Sequence, residues 1–260
     1  MALRHTSAEH VQLFITYLSR FRHLSTSSIR CYISGISFYF KLHYNINPAH
    51  SFGITMLLKS YEKNSKTQLV RKPIDLHLLG NLIESVNAGR LCKYDRLCYI
   101  ILYSLMYHGA LRVSEICFSN TADHIIQFNN VCFSKSNSTI KLKLCSFKHS
   151  NGSTPTIVIS CNNILSKSIN SFLSRRGSKP GPFICHKSSK PFSRLEFVIQ
   201  LKTDLKFLKY DPDHYNSHSF RIGKATDMAK AGASDSQIAL MGRWRSNAFK
   251  QYIRPNLIFS

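Results

Sequence analysis

The sequence has 260 residues, of which 43% are hydrophobic, so the chain has enough apolar material for a buried core and is not intrinsically disordered. Lysine and arginine number 35 against 13 aspartate and glutamate residues, which gives a formal net charge of +22. This excess is atypical of a soluble enzyme that acts on neutral metabolites, and it favours a polyanionic partner. A merely basic soluble protein and a membrane-surface binder are the alternatives on charge alone.

The eight cysteines occur singly, without a C-x-x-C pair or histidines at zinc-finger spacing. We therefore expect reduced thiols, no disulfide framework and no metal site. The first residues, MALRHTSAEHVQLF, lack the apolar core of a secretion signal, and the longest near-apolar run, residues 98–107, is too short to span a bilayer. We expect an intracellular protein that has no membrane partner.

The N-terminal part predicts three amphipathic helices. Thr6 and Glu9 form a T-x-x-E capping box, and apolar residues at helical spacing follow, so the first helix is expected over about residues 7–23. Similar patterns over residues 25–40 and 54–61 predict the second and third helices. Together they indicate a small helical bundle.

A polar, basic segment without apolar periodicity, residues 63–73, is typical of an interdomain linker. We therefore predict a helical domain over residues 1–67 and a second domain over residues 68–260. No internal repeat or low-complexity tract interrupts this division.

The second domain is predicted to be mixed. A helix over about residues 95–108 stops at Gly109, and the short β-rich runs HIIQF, VCF, TIKLKLCSF and TIVIS follow before helical patterns resume after about residue 163. In the third run Ile140, Leu142 and Leu144 alternate with lysines, as in a strand with one solvated face. The fold class is therefore mostly α with a small antiparallel β-sheet (α+β).

The segment HSFRIGKATDMAKAGASDSQIALMGRWRSNAFKQYIRP, residues 218–255, predicts short helices separated by caps. Asn216 and Ser217 are cap-type residues before the first, Ser234 and Gln237 form a capping box for the second, and Ser246 is a cap for the third. Polar and aromatic side chains thus lie at helix ends, where they can converge on a ligand.

This segment resembles the signature of the tyrosine recombinases, the phage-integrase family. In that family H-x-x-R opens a helix, a histidine or tryptophan follows about two dozen residues later, and the nucleophilic tyrosine comes about nine residues further on. His218, Arg221, Trp244 and Tyr252 match this order, with the tyrosine one residue early. GRWRSNAFKQYIRP is most similar to the recombinases of eukaryotic DIRS-type and Crypton-type mobile elements.

The resemblance implies two further positions upstream. GALRVSEIC, residues 109–117, supplies the first arginine of the family as Arg112, with Glu115 in a supporting role. A lysine in a β-hairpin is expected to be Lys148, because it borders the turn; Lys135, Lys141 and Lys143 are its rivals. The N-terminal part resembles the helical, SAM-like core-binding domain of the family, so the match covers nearly the whole chain.

By this resemblance the protein performs DNA strand exchange through a 3′-phosphotyrosine intermediate, with no cofactor and no metal. The implied catalytic residues are Arg112, Lys148, His218, Arg221, Trp244 and Tyr252. The implied partner is double-stranded DNA, clamped between the two domains by a homotetramer on two DNA sites. Only IRPNLIFS follows Tyr252, whereas many relatives have a longer C-terminal segment that docks on a neighbouring subunit, so an altered tetramer contact or a truncated chain is expected.

Two other functions fit the same residues. A type IB topoisomerase uses similar chemistry to relax DNA, and a domesticated, non-catalytic protein would retain only DNA binding. A basic helical interaction protein unrelated to DNA is a third alternative. The expected location is nuclear if the source is eukaryotic.

Overall fold

The computed structural model describes residues 6–64, 71–119, 125–134, 138–144 and 154–254. The chain divides into two compact units, Met1–Leu69 and Val70–Ser260. The sequence-based boundary between residues 67 and 68 lies outside the described residues and stays a prediction. Within the described ranges, no helix combines the length and the apolar character that crossing a bilayer requires.

The described residues of the first unit form three helices, as the sequence predicts. They are α1 (Ala8–Arg20), α2 (Thr26–Tyr44) and α3 (Phe52–Asn64). Their apolar faces form one core from residues at helical spacing: Val11, Ile15, Leu18, Ile29, Ile33, Ile54 and Leu58.

The start of α1 differs from the sequence prediction by one residue. The N-cap is Ser7, whose hydroxyl accepts a hydrogen bond from the backbone N–H of His10, while the Nδ1 atom of His10 accepts one from the Ser7 N–H. The Thr6–Glu9 box is therefore wrong in register. Histidine in place of glutamate at the third helical position makes this reciprocal cap hard to recognise in a sequence.

The second unit contains the remaining helices and the sheet. Its helices are α4 (Leu76–Ala88), α5 (Lys93–His108), α6 (Val113–Ile116), α7 (Asn163–Arg176), α8 (Arg194–Phe207), α9 (His218–Lys230) and α10 (Asp235–Gly242). Short 3₁₀ turns cover Phe128–Asn130, Pro212–His214 and Asn247–Tyr252. Helix α5 packs against α4, α7 and α9 and is buried along most of its length, which explains its nearly uninterrupted apolar sequence.

The sheet is three-stranded and antiparallel, in the order β1–β2–β3. Its strands are β1 (Val131–Phe133), β2 (Thr139–Lys143) and β3 (Thr156–Ser160). Ile140 and Leu142 are buried while Lys141 and Lys143 are exposed, which confirms the predicted alternation. The fold class, mostly α with a small antiparallel sheet, is also confirmed.

The described part of the first β-rich run HIIQF, residues 125–128, does not form a strand of this sheet. Gln127 makes only an isolated antiparallel bridge to Pro182, and a 3₁₀ turn begins at Phe128. Ile125 and Ile126 are both buried. Two successive buried side chains fill the core from both sides of the backbone, so this run reflects core packing and not a half-exposed strand.

The segment before α4 and the first residue of α4 are hydrogen-bonded to α9, the helix that carries His218 and Arg221. The N–H of Ile74 donates to the Ser219 carbonyl at 2.9 Å, and the N–H of Leu76 donates to the Asp227 carboxylate at 3.0 Å. Tyr107 of α5 also donates its hydroxyl hydrogen to Asp227. Together these bonds fix α9 against α5 and against the start of the unit.

Gly223 makes this close approach possible. A Cβ atom at this position would lie 1.7 Å from the Ile74 carbonyl oxygen, so Gly223→Ala should destabilise the second unit by about 1–3 kcal/mol or more through a backbone clash. Gly80→Ala is the matched control, because Gly80 lies inside α4 with no atom within 4 Å of an added Cβ. It should stabilise by roughly 0.5–1 kcal/mol.

Urea unfolding of the two alanine variants measures both effects. Equal unfolding free energies for Gly223→Ala and the unmodified protein would contradict the proposed contact between α9 and Ile74.

Candidate functional site

The turn after α5 contains the Gly109 and Ala110 carbonyls, which accept hydrogen bonds from arginines of the site, and it leads directly to Arg112. Helix α5 ends at Gly109, where an added Cβ would lie 3.0 Å from both Ile159 Cδ1 and the Leu105 carbonyl oxygen and would be crowded. Ala110 then adopts a left-handed conformation with φ of 42°. The chain turns there, and Arg112 becomes the N-cap of the short helix α6.

Glu115 of α6 is a buried carboxylate shared by two arginines. Its Oε2 accepts from the backbone N–H of Arg112 at 2.8 Å, and its Oε1 accepts from Arg112 Nη1 at 3.1 Å. Arg243 Nη2 also donates to Oε2, at 2.8 Å. Glu115 is only 1% exposed, so these charged partners offset the cost of removing the carboxylate from water.

Arg221 is held by carbonyl groups and aromatic rings. Its Nη1 donates to the Ala110 carbonyl and its Nη2 donates to the Gly242 carbonyl at 2.9 Å. The guanidinium carbon lies 4.6 Å from the centre of the Trp244 ring and 5.6 Å from that of Tyr252. The side chain is 1% exposed, and its Nε has no partner within the described residues.

The site carries more positive than negative charge. Burial, followed by the charges of Arg112 and Arg243, lowers the pKa of Arg221 to about 10, and the nearby Glu115 and Tyr252 oppose that shift. Arginine side chains are cationic at neutral pH, whereas the described residues bring one carboxylate, that of Glu115, into contact with the Arg112 and Arg243 guanidiniums. The cluster therefore retains a positive charge that an anion can neutralise.

His218 opens α9 at the edge of this cluster. Its backbone N–H donates to Asn216 Oδ1 at 2.8 Å, whereas Ser217, the N-cap residue itself, makes no side-chain capping bond. The His218 ring lies 6.4 Å from that of Tyr252. Partial removal from water, and then the charges of Arg221, Arg194 and Arg112, lower the pKa of His218. The imidazole is therefore neutral near pH 7 and can accept a proton.

Tyr252 ends the last 3₁₀ turn, for which Ser246 is the N-cap. The Tyr252 ring is half-buried and lies 4.9 Å from the Trp244 ring, while its backbone carbonyl accepts from Thr226 Oγ1 at 3.4 Å. Thr226 belongs to α9, so the tyrosine is tethered to the helix that carries His218 and Arg221. The Trp244 ring, the Tyr252 ring and the Arg221 guanidinium are therefore mutually adjacent, at 4.6–5.6 Å from one another.

The structure thus brings together Arg112, Glu115, His218, Arg221, Trp244 and Tyr252. Lys148, the predicted general acid, and its rival Lys135 lie outside the described residues. Lys141 and Lys143 are exposed on β2. The catalytic roles of all these residues stay predictions.

Sequence reasoning missed two cations at the site. One is Arg243, which contacts Glu115, and the other is the exposed Arg194 at the start of α8, whose charge contributes to the low pKa of His218. The adjacency of Arg243 to Trp244 in GRWR was the available signal for the first. A charged residue just after a helix is usually solvated, so that signal alone did not distinguish it.

Solved structures with a similar fold include two recombinases and an integrase. The Tn1549 transposon integrase in complex with a circular intermediate DNA superposes with a TM-score of 0.68 at 13% identity, over 97% of this chain and 82% of that one. The site-specific recombinase XerH bound to palindromic difH substrate gives 0.67 at 14% identity, over 96% and 69%. The chain has the fold of the tyrosine recombinases.

A third structure, the XerA recombinase, has a TM-score of 0.54 at 14% identity and matches 96% of this chain and 79% of that one. No protein-family model and no curated protein sequence matches the chain. The resemblance inferred from the sequence is therefore confirmed at the level of the recombinase fold. The affiliation with DIRS-type or Crypton-type elements stays a prediction.

Proposed function

We propose that the protein is a tyrosine-type DNA recombinase or integrase that exchanges strands of double-stranded DNA through a 3′-phosphotyrosine. One observation carries this proposal: the Tyr252 ring lies beside a largely buried arginine cluster that keeps excess positive charge. That combination suits a phosphodiester, because the anionic phosphate neutralises the cluster while the tyrosine attacks its phosphorus. The DNA bound in the Tn1549 integrase and XerH structures agrees with this choice of partner.

Arg112 and Arg221 would bind the non-bridging oxygens of the scissile phosphate. Negative charge grows on these oxygens as phosphorus becomes five-coordinate, and preorganised guanidiniums stabilise it without further reorganisation. Arg221 is preorganised by the carbonyls of Ala110 and Gly242, and Arg112 by Glu115. Trp244 holds the planar guanidinium of Arg221 from one side and places Tyr252 next to it.

In the proposed step the Tyr252 oxygen forms a bond to phosphorus and the bond from phosphorus to the 5′ oxygen breaks. His218, neutral near pH 7, would take the phenolic proton, and the leaving 5′ oxygen would take a proton from Lys148. The product is a tyrosine ester of the 3′ phosphate and a free 5′ hydroxyl. The ester conserves the energy of the broken bond, so a second 5′ hydroxyl can reverse the step and join a new strand.

A covalent-adduct assay tests this function. Duplexes from candidate element ends, nicked close to the scissile phosphate so that the cleaved fragment diffuses away, should yield a protein–DNA band that resists denaturant. Mass spectrometry of the digested adduct should locate the nucleotide on Tyr252. Plasmid relaxation without recombinants would instead indicate a topoisomerase, and DNA binding without an adduct would indicate a non-catalytic protein.

The assignment of Lys148 has its own chemical test. Lys148→Ala should cleave ordinary DNA slowly, and a substrate with sulfur at the 5′ bridging position should largely restore the rate, because a thiolate leaves without a proton. Lys135→Ala, Lys141→Ala and Lys143→Ala are the matched controls, and cleavage rates on both substrates are compared. Rescue of one of these and not of Lys148→Ala would assign the general acid to that lysine.

The assembly proposed for this function follows from the same resemblance, and the intracellular location follows from the single cysteines. We propose a homotetramer on two DNA sites, inside the cell and in the nucleus if the source is eukaryotic. The net charge of +22 supports extensive phosphate contacts, so DNA affinity should fall steeply as salt increases.

A further inference from the structure

We propose that Arg243 is a positioning residue for the scissile-phosphate site, acting on Arg112 through Glu115 and on Arg221 through the Ala110 carbonyl. This inference rests on the proposed function. The terminal nitrogens of Arg243 donate to the Gly109 and Ala110 carbonyls and to Glu115, so its described contacts are with the residues that support the site. Its effect on the reaction would be exerted through the two arginines that bind the phosphate.

The backbone of Arg243 is the first reason to assign it a specific role. It is the C-cap of α10 and adopts a left-handed conformation, with φ of 57° and ψ of 39°. Glycine is the usual residue at such a helix end, since a side chain there makes the left-handed conformation unfavourable. An arginine at this position therefore carries a backbone cost that contacts of its side chain can offset.

That contact is with the elements that carry the phosphate-binding arginines. Arg243 Nη1 donates to the Gly109 carbonyl at 3.1 Å, and Nη2 donates to the Ala110 carbonyl at 3.2 Å and to Glu115 Oε2 at 2.8 Å. The Ala110 carbonyl is also an acceptor for Arg221. The Arg243 side chain thus links the end of α10 by hydrogen bonds to the turn after α5 and to α6.

Sharing Glu115 between two arginines also sets the charge available to the substrate. Glu115 uses Oε1 for the Arg112 side chain, while Oε2 binds Arg243 and the Arg112 backbone. Without Arg243, both oxygens could pair with the Arg112 guanidinium in a bidentate arrangement. That pair would redirect Arg112 and neutralise the charge it offers to the phosphate.

The two neighbours of Arg243 serve the same cluster. The Gly242 carbonyl accepts from Arg221, and the Trp244 ring stacks on the Arg221 guanidinium. Gly242 has no room for a side chain, because an added Cβ would lie 1.7 Å from Trp244 Cζ3. Three consecutive residues at the end of α10 therefore support the arginines, and Arg243 is the one that reaches Glu115.

Arg243→Gly is the informative variant, because glycine suits the left-handed backbone while removing the side chain. Arg245→Gln is the matched control: Arg245 is exposed two residues away, and its replacement removes one positive charge from the same segment. Urea unfolding of the full chain verifies that both variants are folded. Cleavage rates are then measured at saturating nicked duplex, together with duplex affinity.

We expect Arg243→Gly to slow cleavage about 10- to 100-fold, the scale of a small misplacement of reacting groups, while Arg245→Gln stays close to the unmodified rate. Duplex affinity should change equally in both variants. In a Glu115→Gln background, Arg243→Gly should cause a smaller further loss, because its route to Arg112 is already broken and only its route to Arg221 through the Ala110 carbonyl remains. A full additional loss in that background, or an unchanged rate in the single variant, would overturn the proposal.

A measurement on the DNA-free protein separates this inference from the proposed function. The side-chain ¹⁵N resonance of Arg112, assigned by its loss in Arg112→Lys, should shift in Arg243→Gly and stay unchanged in Arg245→Gln. An unchanged resonance in Arg243→Gly refutes the positioning role even if DNA is cleaved. If the unmodified protein forms no adduct, the proposed function fails, and the Arg112 resonance alone decides whether Arg243 positions this side chain.

Discussion

Tyr252→Phe should abolish the covalent protein–DNA adduct while leaving duplex affinity almost unchanged. The substitution removes the one hydroxyl that would attack phosphorus, so no tyrosine ester can form. The phenylalanine ring preserves the packing against Trp244 at 4.9 Å and the contact with the Arg221 guanidinium. Affinity depends mainly on many phosphate contacts, and one hydroxyl contributes little to their sum.

Denaturing gels of nicked-duplex reactions and a binding titration measure the two quantities. Tyr210→Phe is the control, because Tyr210 is also half-buried in the second unit but packs against Tyr215. It should form adduct at the unmodified rate. An adduct formed by Tyr252→Phe would place the nucleophile at another residue.

The elements with strong periodicity were predictable from the sequence. The three N-terminal helices, the alternation of Ile140 and Leu142 with exposed lysines, and the capping box of Ser234 and Gln237 all depend on local spacing, which a single sequence displays. The prediction of a strand from HIIQF was wrong, because consecutive buried residues show neither helical nor strand periodicity. The apolar character of Ile125 and Ile126 is determined by tertiary packing.

The residues of the candidate site could be predicted from the sequence, but the hydrogen bonds and ion pairs between them could not. Arg112, Arg221 and Tyr252 could be chosen by resemblance to a family motif, yet the sequence does not show that Glu115 is shared with Arg243. That contact joins residues 128 positions apart, and it depends on the left-handed turns at Ala110 and Arg243. Neither turn contains glycine at its left-handed position, which is the usual signal for such a conformation.

Arg112→Ala is the second variant with a large expected effect, and it should slow cleavage about 10²- to 10³-fold, or about 3–4 kcal/mol of transition-state stabilisation. Arg112 is a better test of phosphate binding than Arg221. Arg221 is fully buried and bonded to two carbonyls, so its removal would also disturb the fold. The Arg112 side chain is 23% exposed, and in its absence Glu115 keeps Arg243 and the backbone N–H as partners.

The physical reason for the loss can be isolated with a substrate in which a methyl group replaces one non-bridging oxygen of the scissile phosphate. This methylphosphonate lacks the charge that Arg112 would stabilise, so the rate ratio between the unmodified protein and Arg112→Ala should shrink towards one. Arg112→Lys, which keeps the charge but loses the planar fork, should give an intermediate rate on ordinary DNA. Tyr252→Phe should form no adduct on either substrate, because both reactions need the nucleophile. An equal loss of cleavage rate for Arg112→Ala on both substrates would mean that Arg112 does not act on the non-bridging oxygens. The excess positive charge of the cluster would then serve DNA binding and not stabilisation of the transition state.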